Sequence, residues 1–241
     1  MVRSGADPAG GDALADGAPA AREHHLTVGR SARYVVLGEP SPAVRELWIV
    51  LHGYGQLARR FARHCGPLAG SGRLVVVPEA LSRFYAEAGA GGSHAQARVG
   101  ATWMTREDRL AEISDYVAYL DQLHARLVEQ CGGEPPALRL LGFSQGAATA
   151  ARWTAYGAPA VRSLVLWGAL LPEDIEVAQL RERLAGAPVT FVCGTGDPYR
   201  SSDDVTAQAE ALRSQGIWAT VSTFAGGHHL DAGVLHALAG A

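Results

Sequence analysis

The chain has 241 residues, 48% of them hydrophobic, which is enough for one globular domain with a substantial core. The formal net charge of -3 gives no indication of a nucleic acid or an anionic membrane as a partner. All 21 basic residues are arginines, which excludes a lysine base and a Schiff-base lysine from any mechanism.

In chain order, the first 22 residues are mostly Ala, Gly, Asp and Pro, and they predict a disordered tail that precedes one domain over residues 23–241. His24–Val28 and Arg33–Leu37 predict two strands joined by a short turn, an antiparallel start. Because the N-terminus lacks the charged-then-apolar pattern of a signal peptide, and no apolar run approaches the roughly 20 residues of a membrane span, we expect a cytoplasmic protein.

Short apolar runs then alternate with helical segments, as in a parallel sheet buried on both faces. The predicted strands are Leu47–Leu51, Leu74–Val77, Leu138–Leu141, Val161–Leu166, Val189–Cys193 and Trp218–Phe224. The predicted helices are 57–67, a long one starting at Thr105, one following Ser144, 176–184, 202–214 and Leu230–Leu238. Ligands of such sheets bind at the carboxyl ends of the strands, so functional residues are expected there.

Two features lie between the second and third of these strands. Residues 80–104 predict a long irregular loop, and loops of this length tend to be functional. Thr105 and Asp108 predict a capping pair at the start of the long helix. Apolar residues spaced three or four apart give that helix one buried stripe from Leu110 to Leu127.

The third strand of this series runs into Gly142-Phe143-Ser144-Gln145-Gly146, followed by small residues. This is the pattern of a strand, a sharp turn and a helix, with the serine held at the turn as a nucleophile. The glycines leave room for tight backbone and close helix packing. The generic pentapeptide also arises by chance, so a Gly-rich turn without chemistry is the alternative reading.

Two further strand ends complete a catalytic constellation. Val189–Cys193 leads to Asp197, and Trp218–Phe224 leads to His228, in the chain order Ser, Asp, His of a serine-hydrolase triad. His228 would move the proton of Ser144, and Asp197 would orient the imidazole. The alternatives are a simple Asp-Pro turn at Asp197 and catalysis by the adjacent His229.

The tetrahedral intermediate needs two oriented N–H donors, which we assign to the amides of Tyr54 and Gln145. His52 precedes Tyr54 in the same turn and is interpreted as structural. The candidate substrate-binding residues are Phe84, Tyr85, Trp103, Met104 and Tyr199. Ordinary packing is the competing interpretation for the aromatic members of the 80–104 segment. The three cysteines are odd in number and widely spaced, and no metal-ligand motif is present, so no metal is expected.

With these motifs, residues 45–235 resemble the phospholipase/carboxylesterase family of α/β-hydrolases, small serine esterases that include acyl-protein thioesterases. The Gly-Phe-Ser-Gln-Gly form of the serine turn is the most specific element. The resemblance implies Ser144, Asp197 and His228 as the triad, with Tyr54 and Gln145 as oxyanion amides. Two positions depart from the family: Gln56 replaces the usual Asp, and Trp167 replaces a frequent Ser.

We therefore expect an α/β-hydrolase fold without a large cap domain, a serine esterase that forms an acyl-enzyme and needs no cofactor. Its partner would be a small-molecule ester, with no nucleic acid and no integral membrane; monomer and homodimer both stay open. The alternatives are hydrolysis of thioesters, lipids or peptides on the same triad, a non-catalytic binding protein on this fold, and an interaction protein acting through its N-terminal tail.

Overall fold

The computed structural model describes residues 21–86 and 97–240. The chain divides into two units, Met1–Ser31 and Ala32–Ala241. In the first unit, residues 21–31 are exposed and contain neither helix nor strand, so the strand predicted at His24–Val28 is wrong. That segment has only Leu26 and Val28 as large apolar residues, too few to form a buried face. Most of the predicted tail, residues 1–20, lies outside the described residues.

The second unit alternates strands and helices over most of its length, as the sequence predicted. The helix predicted at 57–67 is α-helical only at Ala58–Phe61 and continues as 3₁₀ turns. Its strands are β1 (Tyr34–Leu37), β2 (Glu46–Leu51), β3 (Arg73–Pro78), β4 (Ser82–Tyr85), β5 (Val99–Thr102), β6 (Ala137–Phe143), β7 (Ser163–Trp167), β8 (Val189–Gly194) and β9 (Ala219–Phe224). Its α-helices are α1 (Ala58–Phe61), α2 (Arg109–Gln130), α3 (Gln145–Tyr156), α4 (Val177–Leu184), α5 (Ser202–Ser214) and α6 (Ala232–Ala239). Two 3₁₀ turns, Ala62–His64 and Gly66–Leu68, follow α1.

Seven strands form the main sheet in the order β1-β3-β2-β6-β7-β8-β9. Only β1 runs antiparallel to its neighbour, and the remaining pairs are parallel. The carboxyl ends of β2, β6, β8 and β9 therefore meet along one edge of the sheet, which is where ligands of open α/β sheets bind.

The core lies on both faces of this sheet. Along β2, Leu47, Ile49 and Leu51 pack into one cluster, and Trp48 and Val50 pack into another on the opposite face. Helices α2 to α5 cover the first face, and α1 and α6 cover the second. This two-sided burial explains why the strands are continuous apolar runs and not alternating ones. The segment from β7 to α4, residues 168–176, is short and holds no cap domain.

The long helix starts later than predicted. It begins at Arg109, and the Asp108 side chain makes no capping hydrogen bond. Thr105 is held differently, because its amide and hydroxyl both donate to the Glu112 carboxylate, at 2.5 and 3.1 Å. Leu110 lies in the first turn and is 75% exposed, so the buried stripe of the helix does not include it.

The segment expected to be irregular contains regular structure. Strands β4 and β5 pair antiparallel, with Phe84 opposite Gly100. Residues 87–96, between these strands, lie outside the described residues. None of the helices in the described ranges combines the length and the apolar character that crossing a bilayer requires.

Candidate active site

Ser144 lies between β6 and α3 in a strained backbone conformation, with φ 54° and ψ -119°. Positive φ is costly for a residue with a side chain and marks functional turns. Its amide donates to the Trp167 carbonyl at 2.8 Å, which fixes the turn to β7. The flanking glycines permit this geometry, because a Cβ at Gly142 would lie 2.2 Å from the Gly146 carbonyl oxygen. The sequence therefore folds into a tight turn that holds one half-buried serine at the sheet edge.

Asp197 and His228 are hydrogen-bonded to each other in the loops after β8 and β9. The distance from His228 Nδ1 to Asp197 Oδ2 is 2.7 Å. The Asp197 side chain is 1% exposed, and its other oxygen accepts the amides of Tyr199 and Arg200, at 2.8 and 3.3 Å. The carboxylate is thus fully held by protein donors, and Nε2 of His228 is the ring nitrogen that has no hydrogen bond to any described residue.

The end of β7 brings the serine and the histidine pair together. Trp167 binds the Ser144 amide, and the next residue, Gly168, has a φ of +64°. A Cβ at Gly168 would lie 2.7 Å from His228 Cε1 and 3.4 Å from Asp197 Oδ2. The ring of Phe143, adjacent to Ser144 in the chain, lies 4.8 Å from the His228 ring. Ser144, Asp197 and His228 therefore converge on one corner of the sheet, although no described residue hydrogen-bonds to Ser144 Oγ.

The turn after β2, Gly53–Gln56, packs directly against the serine. A Cβ at Gly53 would lie 3.2 Å from Ser144 Cβ. Three of its four amides are used: Gly53 donates to Gln56 Oε1 at 2.8 Å, Gly55 to Ala101 at 2.8 Å, and Gln56 to the Gly53 carbonyl at 3.3 Å. The Tyr54 amide has no acceptor in the described part of the chain. It is the donor of this turn that a ligand can use.

Gln145 is the first residue of α3, so its amide has no acceptor within the helix. Its side chain is tied to the segment after β5. Oε1 accepts the Trp103 amide at 3.1 Å, and Nε2 donates to Thr102 Oγ1 and the Met104 carbonyl, both at 2.9 Å. These bonds join residues more than 40 positions apart, and sequence reasoning missed them.

Strand β5 thereby connects both candidate oxyanion donors. Ala101 exchanges backbone hydrogen bonds with the Gly53–Gln56 turn, accepting from Gly55 and donating to Gln56. The next residues, Thr102 to Met104, hold the Gln145 side chain. The separation between the Tyr54 and Gln145 amides is therefore set by a strand that the sequence predicted as loop.

We expect Gly100→Ala in β5 to reduce kcat for a reaction at Ser144 by about 10- to 100-fold with little change in fold. The added Cβ would lie 2.7 Å from the Gly55 carbonyl oxygen and 2.8 Å from its Cα, so the Gly53–Gln56 turn must move. Shifts of about 1 Å in catalytic geometry have effects of this size. Steady-state kinetics and circular dichroism give the answer. Gly66→Ala, where a Cβ meets nothing within 4 Å, is the control; equal kinetics for the two variants would contradict the role of β5.

His52 and Trp103 support the turn from beneath. His52 is fully buried; its Nδ1–H donates to the Gly53 carbonyl at 2.8 Å, and Nε2 accepts the Ala80 amide at 3.1 Å. Burial lowers the pKa of His52, which favours the neutral ring that these bonds require. Trp103 is 2% exposed, and its indole donates to the His52 carbonyl at 2.8 Å.

The other predicted pocket residues differ in exposure. Tyr199 is 69% exposed, and its ring lies 4.9 Å from that of His228 in an edge-to-face arrangement. Phe84 is half-buried and stacks on Tyr54 at 5.1 Å, while Tyr85 is 50% exposed. Met104 packs against the core beside α3. Exposed aromatic surface is thus present beside His228 and on the Gly53–Gln56 turn, whereas Trp103 contributes almost no surface to a ligand.

The two departures from the family pattern have structural roles. Gln56 caps the Gly53 amide with its side chain, at 2.8 Å. Trp167 donates its indole N–H to the His229 carbonyl at 2.9 Å. His229 is exposed, and the centre of its ring lies 5.3 Å from the centre of the Phe224 ring. Across residues 21–86 and 97–240, no group of three or more His, Cys, Asp or Glu side chains is placed to hold a metal ion.

Several solved structures of known proteins are similar to the chain in fold. The chain is similar to esterase PE8, with 23% identity and a TM-score of 0.64 over 88% of this chain and 97% of the other. It is also similar to Zea mays acyl-protein thioesterase 2 (16% identity, TM-score 0.63, 87% and 97% covered) and to the Bacillus cereus carboxylesterase (18%, 0.60, 87% and 92%).

At these identities the likeness concerns the fold, and the predicted α/β-hydrolase architecture is confirmed. No curated protein sequence matches the chain. Residues 45–232 match the serine hydrolase (FSH1) family, a segment that contains the Ser144 turn, the Gly53–Gln56 turn, Asp197 and His228. Because this match spans most of the chain, the protein belongs to the serine hydrolase (FSH1) family.

Proposed function

We propose that the protein hydrolyses carboxylic esters through an acyl-enzyme formed on Ser144. The observation that carries this proposal is the 2.7 Å hydrogen bond between Asp197 and His228 beside the strained serine turn. In the proposed reaction, Nε2 of His228 takes the Ser144 proton as Oγ attacks the ester carbonyl, and returns it to the departing alcohol. A water molecule then repeats the sequence and releases the acid.

The tetrahedral oxyanion would accept the amides of Tyr54 and Gln145. The Gln145 amide lies at the N-terminus of α3, where the helix dipole also favours negative charge. Each such donor is worth about 10²–10³ in rate. Exposed Tyr199 and the stacked pair of Tyr54 and Phe84 would contact the substrate on either side of the serine, with Tyr85 at the margin. Trp103 and Met104 would act by holding the Gly53–Gln56 turn and Gln145.

The second candidate is thioester hydrolysis on the same triad, since Zea mays acyl-protein thioesterase 2 has a similar fold. A serine nucleophile and an oxyanion site serve both reactions, so the fold does not decide between them. Phenyl valerate and its S-phenyl thioester differ only in the leaving atom. The ratio of their kcat/KM values decides which class the site prefers.

We expect a fluorophosphonate probe to form a stoichiometric adduct on Ser144, because only an activated serine attacks such a probe. Mass spectrometry of proteolytic fragments locates the adduct. His228→Gln should abolish labelling, since the base is removed. His229→Gln is the matched control and should label normally, because the structure uses the His229 carbonyl and not its ring at Trp167. A folded protein that takes up no probe would exclude the proposed mechanism and favour the binding-protein alternative.

A further inference from the structure

A cavity of about 220 Å³ adjoins the Gly53–Gln56 turn. Its lining includes Gly55 and Gln56 from the turn, Arg60 from α1, His64 from the following 3₁₀ turn and Arg98 just before β5. No acidic residue is among the described residues that line it. The cavity therefore combines backbone of the candidate oxyanion turn with three basic side chains.

The charge around this cavity contrasts with that of the whole chain. The net charge of the protein is -3, yet the segment 57–68 contains Arg59, Arg60, Arg63 and His64 and no Asp or Glu. Within the described ranges, Arg60 forms no ion pair. Arg98 is engaged in a further interaction, so Arg60 and His64 are the basic side chains that a ligand in the cavity would contact. Uncompensated arginine charge in a concave site attracts anions, and its planar guanidinium fits a carboxylate in particular.

The position of the cavity relates it to the reaction. Gly55 directly follows Tyr54, and consecutive Cα atoms lie about 3.8 Å apart. An anion in the cavity would thus lie against the same turn that carries the Tyr54 amide. One wall residue, Gln56, also holds the Gly53 amide at 2.8 Å, so an occupant of the cavity would contact the turn that carries the candidate oxyanion donor.

We propose that this cavity is a subsite for a carboxylate carried by the substrate, with Arg60 and His64 as its ligands. This inference rests on the proposed ester hydrolysis, and it names the preferred substrates as esters that carry a second, ionised acid group. The charge can belong to the acyl part or to the alcohol part of the ester, because both are bonded to the same carbonyl carbon. The shared chemistry is a carboxylate a few atoms from the scissile bond.

Three substrates distinguish a carboxylate on the acyl part from one on the alcohol part. Phenyl valerate is neutral, phenyl hemiglutarate has a carboxylate on an acyl chain of the same length, and 4-carboxyphenyl valerate has a carboxylate on the alcohol. The measured quantity is kcat/KM for each charged ester divided by that for phenyl valerate. In Arg60→Gln we expect this ratio to fall about tenfold for one of the charged esters, chiefly through KM. Arg60→Lys should keep part of the preference.

Arg63→Gln is the matched control, because it removes the same charge from the same segment but from a residue that does not line the cavity. An equal fall in Arg60→Gln and Arg63→Gln would show general electrostatic attraction and overturn the subsite. Unchanged ratios in Arg60→Gln would overturn it as well. If the wild-type protein cleaves none of the three esters, the proposed function fails. In that case calorimetric titration with glutarate tests the carboxylate subsite independently of catalysis. Glutarate should bind the wild-type protein and should not bind Arg60→Gln.

Discussion

Ser144→Ala is expected to lower kcat for phenyl valerate by about 10⁶-fold, the size of the loss when the catalytic serine of a serine protease is removed. The variant keeps the candidate oxyanion amides and the His228–Asp197 pair, but no atom remains to form the acyl-enzyme. Steady-state kinetics with product detection by chromatography measures the loss.

The backbone of residue 144 requires its own control, since φ is 54° there. Ser144→Gly accepts this conformation without strain and should be equally inactive. Ser214→Ala, at the exposed end of α5, removes another serine hydroxyl and should keep wild-type kinetics. If either variant of residue 144 hydrolyses phenyl valerate at the wild-type rate and has the circular dichroism spectrum of the wild type, the assignment of Ser144 as the nucleophile is wrong.

Asp197→Asn is the second change with a large expected effect, a fall in kcat of about 10³- to 10⁴-fold. The backbone decides the orientation of the new amide. Oδ1 of Asp197 accepts the Tyr199 and Arg200 amides, so the amide oxygen of the asparagine must occupy that position. The NH₂ group then faces His228 Nδ1 and donates to it. The imidazole is forced to carry its proton on Nε2, where it cannot accept one from serine.

The pH dependence of kcat in Asp197→Asn separates this tautomer effect from a folding defect. Deprotonation of Ser144 by hydroxide replaces the lost base, so activity should rise with pH across the alkaline range. Asp203→Asn, an exposed carboxylate in the first turn of α5, is the matched control. A loss smaller than tenfold in Asp197→Asn would show that His228 is oriented by other groups.

The sequence alone was sufficient to locate the strands that are largely buried on both faces. Leu47–Leu51 is a continuous apolar run because helices cover both faces of its strand, and Val189–Cys193 is interrupted only by the half-buried Thr190. Each was predicted within one residue of its observed bounds. Strands β4 and β5 gave no such signal. Each has four residues, and β4 alternates half-buried and exposed positions, so its pairing depends on contacts distant in the chain.

The candidate site shows the same division between local and distant determinants. The positions of Ser144, Asp197 and His228 could be read because each follows a recognisable strand and lies in a short motif. The side-chain contacts that hold the oxyanion donors could not be read. Gln145 reaches Trp103 across 42 positions, and nothing in the local pattern of either residue indicates the other.

Trp167 has a consequence for how the protein loses activity. Its carbonyl accepts the Ser144 amide, and its indole donates to the His229 carbonyl beside the histidine of the pair. The residue itself is 1% exposed, in the interior of the sheet. Displacing either loop therefore disturbs a core tryptophan, and core elements open only with free energies near that of global unfolding. The arrangement of the site thus shares the cooperativity of the core, and its serine and histidine loops do not melt independently of the fold.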